Sequence, residues 1–232
     1  NITPQFLRRL EEAIGMPRGD SRKKLQPIDI LHFIISILHS PLYRVRFKDQ
    51  LRRSYPRVLL PNGKTLFDQL RQCGAKLVSL ALTESEILNT PITTLETTGD
   101  FTVEKVSYSD ETVWIDKAKM RGFKGVPKEV WNFHIGGYRV CEKWLKDRGP
   151  KKGNLGRVLT DEDIAQYQKI VVALGKVICI MAEIDEVIEV HGGWSGAFQK
   201  GDAGDEPVGD VVYAEVDDGA TQLDMVAEPK DG

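Results

Sequence analysis

The stretch Gly125–Arg148, with the sequence GVPKEVWNFHIGGYRVCEKWLKDR, constrains the fold of this chain more than any other. It contains the pair Gly136-Gly137, and two glycines directly before a tyrosine indicate a backbone that needs positive φ or a close approach to another segment. The apolar residues that follow recur at helical spacing: Val140, Cys141, Trp144 and Leu145. We expect a turn and then an amphipathic helix with a solvated basic face. The turn is assigned to the architecture, with its aromatic side chains buried against a long C-terminal helix.

Helices are also predicted on the N-terminal side of this stretch. Thr3 and Pro4 begin a short capped helix that Gly15 ends, and Asp29 is the expected N-cap of an apolar helix over 30–39.

Two more helices follow. Tyr43, Phe47 and Leu51 recur every four residues, which predicts one basic amphipathic helix that Pro56 ends. A further helix is predicted over 66–82, with an interruption at Gly74.

The periodicity changes after this helical region. The Thr-rich segment 89–100 is predicted to be a linker, and the alternation of apolar and polar residues over 101–115 predicts a β-hairpin with its turn at Ser109-Asp110. Thr160-x-x-Asp163 is a capping box for a long helix that is expected to end near Asp185.

Glycine and acidic residues dominate 191–232, which predicts a flexible tail in which Gly193-Trp194 and Val211–Tyr213 could dock locally. Together the patterns predict an α+β fold that is mostly helical, with a small β-hairpin or sheet region and a long C-terminal helix before the acidic tail. The expected organisation is a helical part over 1–98, a part over 99–190 that contains the hairpin and the long helix, and a tail over 191–232.

The charge of the chain is strongly divided along its length. Residues 1–157 hold 28 Lys and Arg against 17 Asp and Glu, a net charge of +11. Residues 158–232 hold 4 basic and 17 acidic residues, a net charge of −13. The first part therefore has the charge to bind a polyanion, whereas the second has the charge to repel or imitate one.

Composition excludes several classes of protein. No apolar run is long enough to span a membrane and no signal-peptide pattern is present, so we expect a cytoplasmic protein. The first residue is Asn, which we interpret as the start of a fragment of a longer polypeptide. Three widely spaced cysteines in apolar patterns favour buried, reduced thiols over a disulfide scaffold.

The sequence contains no catalytic constellation. Asn62–Thr65 resembles the end of a phosphate-binding P-loop, but Val58 stands where its first glycine is required. The four histidines lack metal-ligand spacing. Loops for S-adenosylmethionine or for a flipped base are also missing, so no cofactor or metal is expected in this chain. What remains is a set of basic residues interleaved with aromatic ones, a composition typical of nucleic-acid contact.

Three blocks of sequence carry a resemblance to a known family. They are Leu38–Lys48 with Tyr55–Pro61, Gly125–Tyr138 with Lys143–Arg148, and Leu159–Ile164 with Met181–Asp185. Together they resemble the C-terminal specificity domain of Type ISP restriction–modification enzymes and related adenine-N6 DNA methyltransferases. The resemblance covers residues 1–188, and the acidic tail has no counterpart in the family pattern.

The resemblance implies a function for the chain. In that family an upstream methyltransferase domain binds S-adenosylmethionine and methylates adenine N6, restriction members add a nuclease and a helicase-like ATPase, and the C-terminal domain recognises the DNA target. The expected partners are therefore double-stranded DNA and an upstream methyltransferase domain of the same polypeptide, in a system that defends against phage. The base-reading residues vary between family members with their targets.

Basic residues in three places are the candidates for contact with DNA: Arg44, Arg46, Lys48, Arg52, Arg53 and Arg57; Lys119, Arg121, Lys124 and Lys128; and Arg139, Lys143 and Lys146. We expect the loop over 119–128 to form part of the base-reading region, because loops on a rigid scaffold often carry recognition. The alternative is a protein–protein scaffold whose basic face meets an acidic partner or the chain's own tail.

Overall fold

The computed structural model describes residues 2–19, 23–97, 99–151, 156–201 and 204–207. These residues form two compact units, the first from 2–82 and 179–207 and the second from 83–178. The mainly helical α+β fold predicted from the sequence is confirmed. The first unit begins with five helices: α1 (Pro4–Ile14), α2 (Pro27–His39), α3 (Pro41–Arg46), α4 (Lys48–Leu51) and α5 (Lys64–Ala81).

The second unit contains a short 3₁₀ turn (Glu86–Asn89) and most of the strands. Its elements are β1 (Thr94–Glu96), β2 (Ser107–Ser109), β3 (Thr112–Trp114), β4 (Gly122–Lys124), α6 (Lys128–Trp131), β5 (His134–Ile135), β6 (Tyr138–Arg139) and α7 (Val140–Lys146). Helix α8 (Asp161–Val190) starts in the second unit, and its residues from Cys179 onward belong to the first. The elements after it are α9 (Gly193–Ala197), β7 (Lys200–Gly201) and β8 (Gly204–Pro207).

The core of the first unit is built around the contact between α2 and α5. The rings of Phe33 and Phe67 meet with their centroids 5.1 Å apart. A Cβ at Gly74 would lie 1.8 Å from the carbonyl oxygen of His32, so only glycine allows this approach of the two helices. The predicted interruption of the helix at Gly74 is wrong, because this glycine serves the packing of a continuous helix.

The ends of α1 are those predicted, but the start of α2 is not. Gln26 is the N-cap of α2, and Pro27 occupies the first turn, where its fixed φ suits a helix start. Asp29 lies three residues inside, where its carboxylate accepts a hydrogen bond of 3.0 Å from the Gln26 backbone N–H. The expected N-cap at Asp29 is therefore corrected to Gln26.

The second unit contains a four-stranded antiparallel sheet in the order β1-β4-β3-β2. The predicted hairpin is its β2–β3 pair, in which Ser109 faces Thr112. The predicted linker over 89–100 is wrong in part, because Thr94–Glu96 pairs with β4 as an edge strand. Phe123 of β4 is fully buried and packs against Tyr167 of α8, with ring centroids 4.4 Å apart.

The opening sequence stretch forms a tight hairpin and a helix, as predicted. Gly136 and Gly137 have φ of 56° and 80° and connect β5 to β6 in a two-residue turn that favours such residues. Trp144 lies against Tyr167 of α8 at a centroid distance of 5.4 Å. Tyr138 does not fit the expectation of burial, since its side chain is 61% exposed at the hairpin tip.

The long helix α8 begins with the predicted capping box. The Asp163 carboxylate accepts hydrogen bonds from Thr160, and the Thr160 hydroxyl accepts one from the Asp163 backbone N–H at 3.2 Å. Burial acts to raise the pKa of Asp163, but hydrogen bonds from Thr160 and Arg148 lower it overall. The helix continues to Val190, past its predicted end near Asp185, because apolar residues such as Ile188 remain buried.

The segment after α8 was predicted to be flexible, and its first part is folded. Residues 193–197 form α9, and Phe198 is buried beneath it. The expectation that Gly193-Trp194 docks locally is confirmed by ring contacts of Trp194 with Tyr43 and Phe198. Residues 208–232, with the second docking candidate Val211–Tyr213, lie outside the described residues.

The cysteines differ in exposure. Cys73 and Cys141 are buried, and burial raises the pKa of their thiols to about 11 and about 12, respectively. Cys179 is exposed on α8, so the expectation of three buried thiols is wrong at this position, where the helix face turns to solvent. Within the part of the chain that the structure describes, no helix has the length and apolarity needed to cross a membrane.

Candidate nucleic-acid interface

The first unit contains a strongly cationic stretch over residues 44–57, here called the basic segment. It consists of the end of α3, the short helix α4 and the stretch that leads to the buried residues 58–61. Its six basic residues stand against one acidic residue, Asp49. The single predicted helix is corrected to two, because Phe47 leaves helical geometry with φ of −103° and ψ of 19°.

The start of α3 is held by α8. Asp185 accepts hydrogen bonds from the Ser40 hydroxyl and from the Leu42 backbone N–H, the latter at 3.2 Å. The Ser40 hydroxyl in turn accepts a bond of 3.0 Å from the backbone N–H of Tyr43. Carboxylate and hydroxyl thus satisfy N–H groups of the first turn, which fixes the direction in which the basic segment leaves α2.

A single tyrosine closes the basic segment at its other end. The buried Tyr43 hydroxyl donates a hydrogen bond of 2.6 Å to the Arg57 carbonyl oxygen and accepts one of 3.1 Å from the Arg57 N–H. The segment is therefore a loop whose two ends are tied 14 residues apart in sequence. Such a loop presents its side chains with less conformational freedom than a chain held at one end.

Four aromatic rings, here called the aromatic floor, form a connected cluster at this loop: Tyr43, Phe47, Trp194 and Phe198. The rings of Tyr43 and Phe47 meet at a tilt of 44° with their centroids 4.8 Å apart, and the ring of Trp194 lies 6.0 Å from each of them. Trp194 also stacks on Phe198 at 5.2 Å. The residues after α8 thus supply half of the aromatic floor beneath the basic segment.

Backbone pairing holds those late residues in place. The Asn62 N–H donates to the Ala197 carbonyl at 2.7 Å, and the Gln199 N–H donates to the Leu60 carbonyl at 2.9 Å. These bonds join residues 197–199 to residues 60–62, which follow Arg57 in the sequence.

The side chains of the basic segment differ in exposure. Arg46, Arg53 and Arg57 are exposed, and no ion pair joins any of them to another described residue. Arg44 is half-buried, donates from Nε to the Leu38 carbonyl at 3.2 Å, and has its pKa lowered by burial. The remaining two candidates, Lys48 and Arg52, lie on α4 and at its C-cap.

Apolar surface accompanies these cations. Val45 and Tyr55 are each 73% exposed. Arginine next to exposed aromatic and aliphatic groups is the combination that binds phosphate and sugar together.

The basic residues of the second unit have a different environment. Arg121 is 12% exposed, and its guanidinium contacts three carboxylates, those of Asp100 at 3.0 Å, Glu104 at 2.5 Å and Asp116 at 3.8 Å. A phosphate at Arg121 would compete with these carboxylates, which lie between 5 and 21 residues earlier in the sequence. The predicted contact of Arg121 with DNA stays a prediction.

The β3–β4 connection is a rigid turn rather than part of a long loop. The Asp116 carboxylate accepts from the backbone N–H groups of Met120 and Arg121, each at 3.1 Å. Lys119 has a positive φ of 54° and donates from Nζ to the Ser109 hydroxyl at 3.0 Å. The predicted loop over 119–128 is corrected, because it includes β4 and the start of α6.

Four of the other five predicted contact residues of the second unit are surface residues in ion pairs with acids. Lys124 lies 3.3 Å from Glu96. Ion pairs along α7 join Arg139 to Glu142, Lys143 to Asp147, and Lys146 to Glu142, at 3.7, 2.7 and 2.7 Å. Lys128 is exposed at the start of α6. Exposed pairs of this kind are weak, but they reduce the net positive field of the surface.

A family model decides the identity of the fold. Residues 1–182 match the model described as the Type ISP C-terminal specificity domain. The chain belongs to this family. The resemblance inferred from the sequence blocks is thereby confirmed.

Solved structures share the fold of this specificity domain. A nuclease-deletion mutant of the Type ISP restriction-modification enzyme LlaGI, in complex with a DNA substrate mimic, matches 71% of the chain with a TM-score of 0.53 and 19% identity. The ATP-dependent Type ISP enzyme LlaBIII bound to DNA matches 67% with a TM-score of 0.52 and 14% identity. A DrdV–DNA complex matches 76% with a TM-score of 0.55 and 17% identity.

The matched proteins are much longer than this chain. The matches cover 14%, 11% and 19% of the LlaGI, LlaBIII and DrdV chains. A comparison with curated proteins found no match.

The sequence-based site prediction for this specificity domain divides into two groups. The structure brings Arg46, Arg53 and Arg57 together on one tethered loop, whereas it surrounds Arg121 with acids. Trp194 contacts the rings of this loop, but the sequence predicted only that it docks locally. The observation behind that prediction was an isolated aromatic residue in a glycine-rich segment. Among the described residues, no cluster of His, Cys, Asp or Glu could hold a metal ion.

Proposed function

We propose that this specificity domain binds duplex DNA, with the basic segment as its main phosphate-binding surface. One observation carries the proposal: Arg46, Arg53 and Arg57 are exposed on a loop that the Tyr43 hydroxyl closes. Membership of the specificity-domain family and the DNA-bound state of the matched proteins support it.

The physics of the contact follows from charge and rigidity. Each phosphate that an arginine neutralises releases condensed counterions, which favours binding at low salt. A tethered loop loses little further entropy when it binds, so more of the electrostatic gain remains as affinity. Exposed Tyr55 and Val45 would pack on sugar and base edges beside the phosphates.

The proposal extends to the role of the domain in its parent protein. The chain recognises a specific target sequence and positions that duplex for methylation at adenine N6. The methyl donor, S-adenosylmethionine, would be bound by an upstream domain of the same polypeptide. Restriction–modification and defence against phage are the biological setting that follows, with the cytoplasm as the compartment.

Binding of the full chain to duplex DNA over a series of salt concentrations tests the proposal. We expect affinity to rise as salt falls, and selection from a random duplex pool to enrich one short sequence. The triple variant Arg46→Gln, Arg53→Gln, Arg57→Gln should make the negative slope of log K against log salt shallower by roughly 2 to 3, since each lost phosphate contact removes about 0.9 from its magnitude.

A matched variant removes three positive charges from the second unit: Lys124→Gln, Lys143→Gln, Lys146→Gln. It should leave the slope nearly unchanged, because these lysines already face carboxylates. Absence of DNA binding at low salt by the full chain and by a variant whose terminal acids are neutralised would overturn the proposal. It would favour a protein–protein scaffold instead.

A further inference from the structure

The last 25 residues of the chain, 208–232, are strongly acidic. They contain seven Asp and Glu and a single basic residue, Lys230. We propose that this acidic terminus binds the basic segment of the same chain and competes there with DNA. The competition rests on the proposed function, whereas the contact itself does not.

The acidic terminus follows a part of the chain that is docked at the basic segment. Trp194 and Phe198 lie under the basic segment, with the Trp194 ring against Tyr43 and Phe47. The bond from Gln199 to Leu60 continues this docking to within nine residues of position 208. The chain is therefore anchored, shortly before its acidic terminus, to the residues that follow Arg57 in sequence.

The charges of the acidic terminus and the basic segment are complementary. The basic segment has six basic residues and one acidic residue, the opposite balance to that of the terminus. A short tether gives the terminus an effective concentration in the millimolar range, on the order of 1 mM, at this surface. At that concentration, individually weak exposed ion pairs are sufficient to keep the surface occupied when several form together.

The structure also indicates why the terminus should prefer this surface. In the second unit Arg121, Lys124 and Lys143 already contact carboxylates of their own unit. Arg46, Arg53 and Arg57 have no ion pair to another described residue. An acidic segment gains more by neutralising cations that lack a counter-charge than by displacing existing partners.

The experiment uses the full chain with its terminal acids replaced by amides: Asp210→Asn, Glu215→Gln, Asp217→Asn, Asp218→Asn, Asp224→Asn, Glu228→Gln and Asp231→Asn. We expect this neutral-terminus variant to bind duplex DNA about tenfold more tightly than the native chain at low salt, with the gain vanishing as salt rises.

A charge-matched control separates local competition from a change in net charge. It replaces seven exposed acids of the second unit by their amides: Glu84→Gln, Glu86→Gln, Asp110→Asn, Glu111→Gln, Glu129→Gln, Asp161→Asn and Glu162→Gln. Equal gains in DNA affinity for the two variants would overturn the inference, because net charge alone would then account for the effect.

A direct measurement keeps the inference testable even if DNA does not bind. A labelled peptide with the sequence of residues 208–232 is titrated with the neutral-terminus variant, and fluorescence anisotropy reports binding. We expect the peptide to bind the neutral-terminus variant at low salt. Binding should be at least tenfold weaker once Arg46, Arg53 and Arg57 of that variant are also replaced by Gln. The peptide should also bind the native chain more weakly than the neutral-terminus variant. No binding to the neutral-terminus variant, or binding unaffected by the arginine replacements, would contradict the proposed contact.

Discussion

Two regions of this domain, the basic segment and the surroundings of Arg121, use arginine in opposite ways. In the first unit, the basic segment presents Arg46, Arg53 and Arg57 without carboxylate partners among the described residues. In the second, Arg121 is enclosed by three carboxylates and is 12% exposed. The same side chain is a surface charge in the basic segment and a structural crosslink at position 121.

The difference shows that a count of charges along a sequence does not locate a binding surface. An arginine contributes to the field of a surface only to the extent that neighbouring carboxylates leave its charge uncompensated. Such neighbours lie far apart in sequence: Asp100 and Arg121 are 21 residues apart. The three-dimensional arrangement therefore determines which cations can bind a ligand.

The largest expected effect comes from the support of the basic segment. Phe198→Ala removes a buried ring that stacks on Trp194, and we expect it to lower the free energy of unfolding by about 3–5 kcal/mol. Hydrogen exchange should become faster over 43–57 while β2–β4 retain their protection. Unchanged exchange over 43–57 would show that the aromatic floor does not hold the segment.

An intermediate effect should separate the two kinds of arginine. Arg121→Met leaves the buried Asp116 without its guanidinium neighbour and should lower the free energy of unfolding by about 1–3 kcal/mol, with DNA affinity unchanged. Arg53→Met, at an exposed site, should change stability by less than about 0.5 kcal/mol and weaken DNA binding. Chemical denaturation and DNA titration of both variants measure the contrast, and the reverse pattern would refute it.

The smallest expected effect concerns two hydroxyl groups with similar bonds. Tyr43→Phe removes the bonds to Arg57, and Tyr108→Phe removes a bond of 2.9 Å to the Val126 carbonyl in the second unit. Each should cost about 1 kcal/mol in stability. Only Tyr43→Phe should weaken DNA binding, because it loosens the loop. Adding a stabilising osmolyte should not restore the DNA affinity of this variant. Equal DNA affinity of the two variants would show that closure of the loop is unimportant.

Local signals in the sequence predicted much of the fold. Thr3, the Thr160–Asp163 capping box and the Gly136-Gly137 turn act through neighbours within four residues, so their geometry can be inferred from spacing. The edge strand β1 was missed because its pairing partner β4 lies 28 residues later, and no local pattern reveals such a pairing.

The candidate site was predicted less completely for the same reason. The basic residues of 44–57 are visible in the sequence, but their closure by Tyr43 and their support by Trp194 depend on long-range contacts. The carboxylate partners of Arg121 are spread over residues 100–116, so spacing in the sequence does not show that they surround it. Periodicity identifies the element that carries a charge, whereas its counter-charges are determined by packing.

The unequal burial of the cysteines has a practical consequence. Cys73 and Cys141 are enclosed and have raised thiol pKa values, whereas Cys179 lies exposed on α8. A thiolate is the reactive form toward maleimides, and it needs access to the reagent. The native chain therefore offers one position for a fluorophore or spin label, close in sequence to Asp185, which caps α3. A second probe on a DNA duplex would then allow distances from that position to bound DNA to be measured without engineered cysteines in the protein.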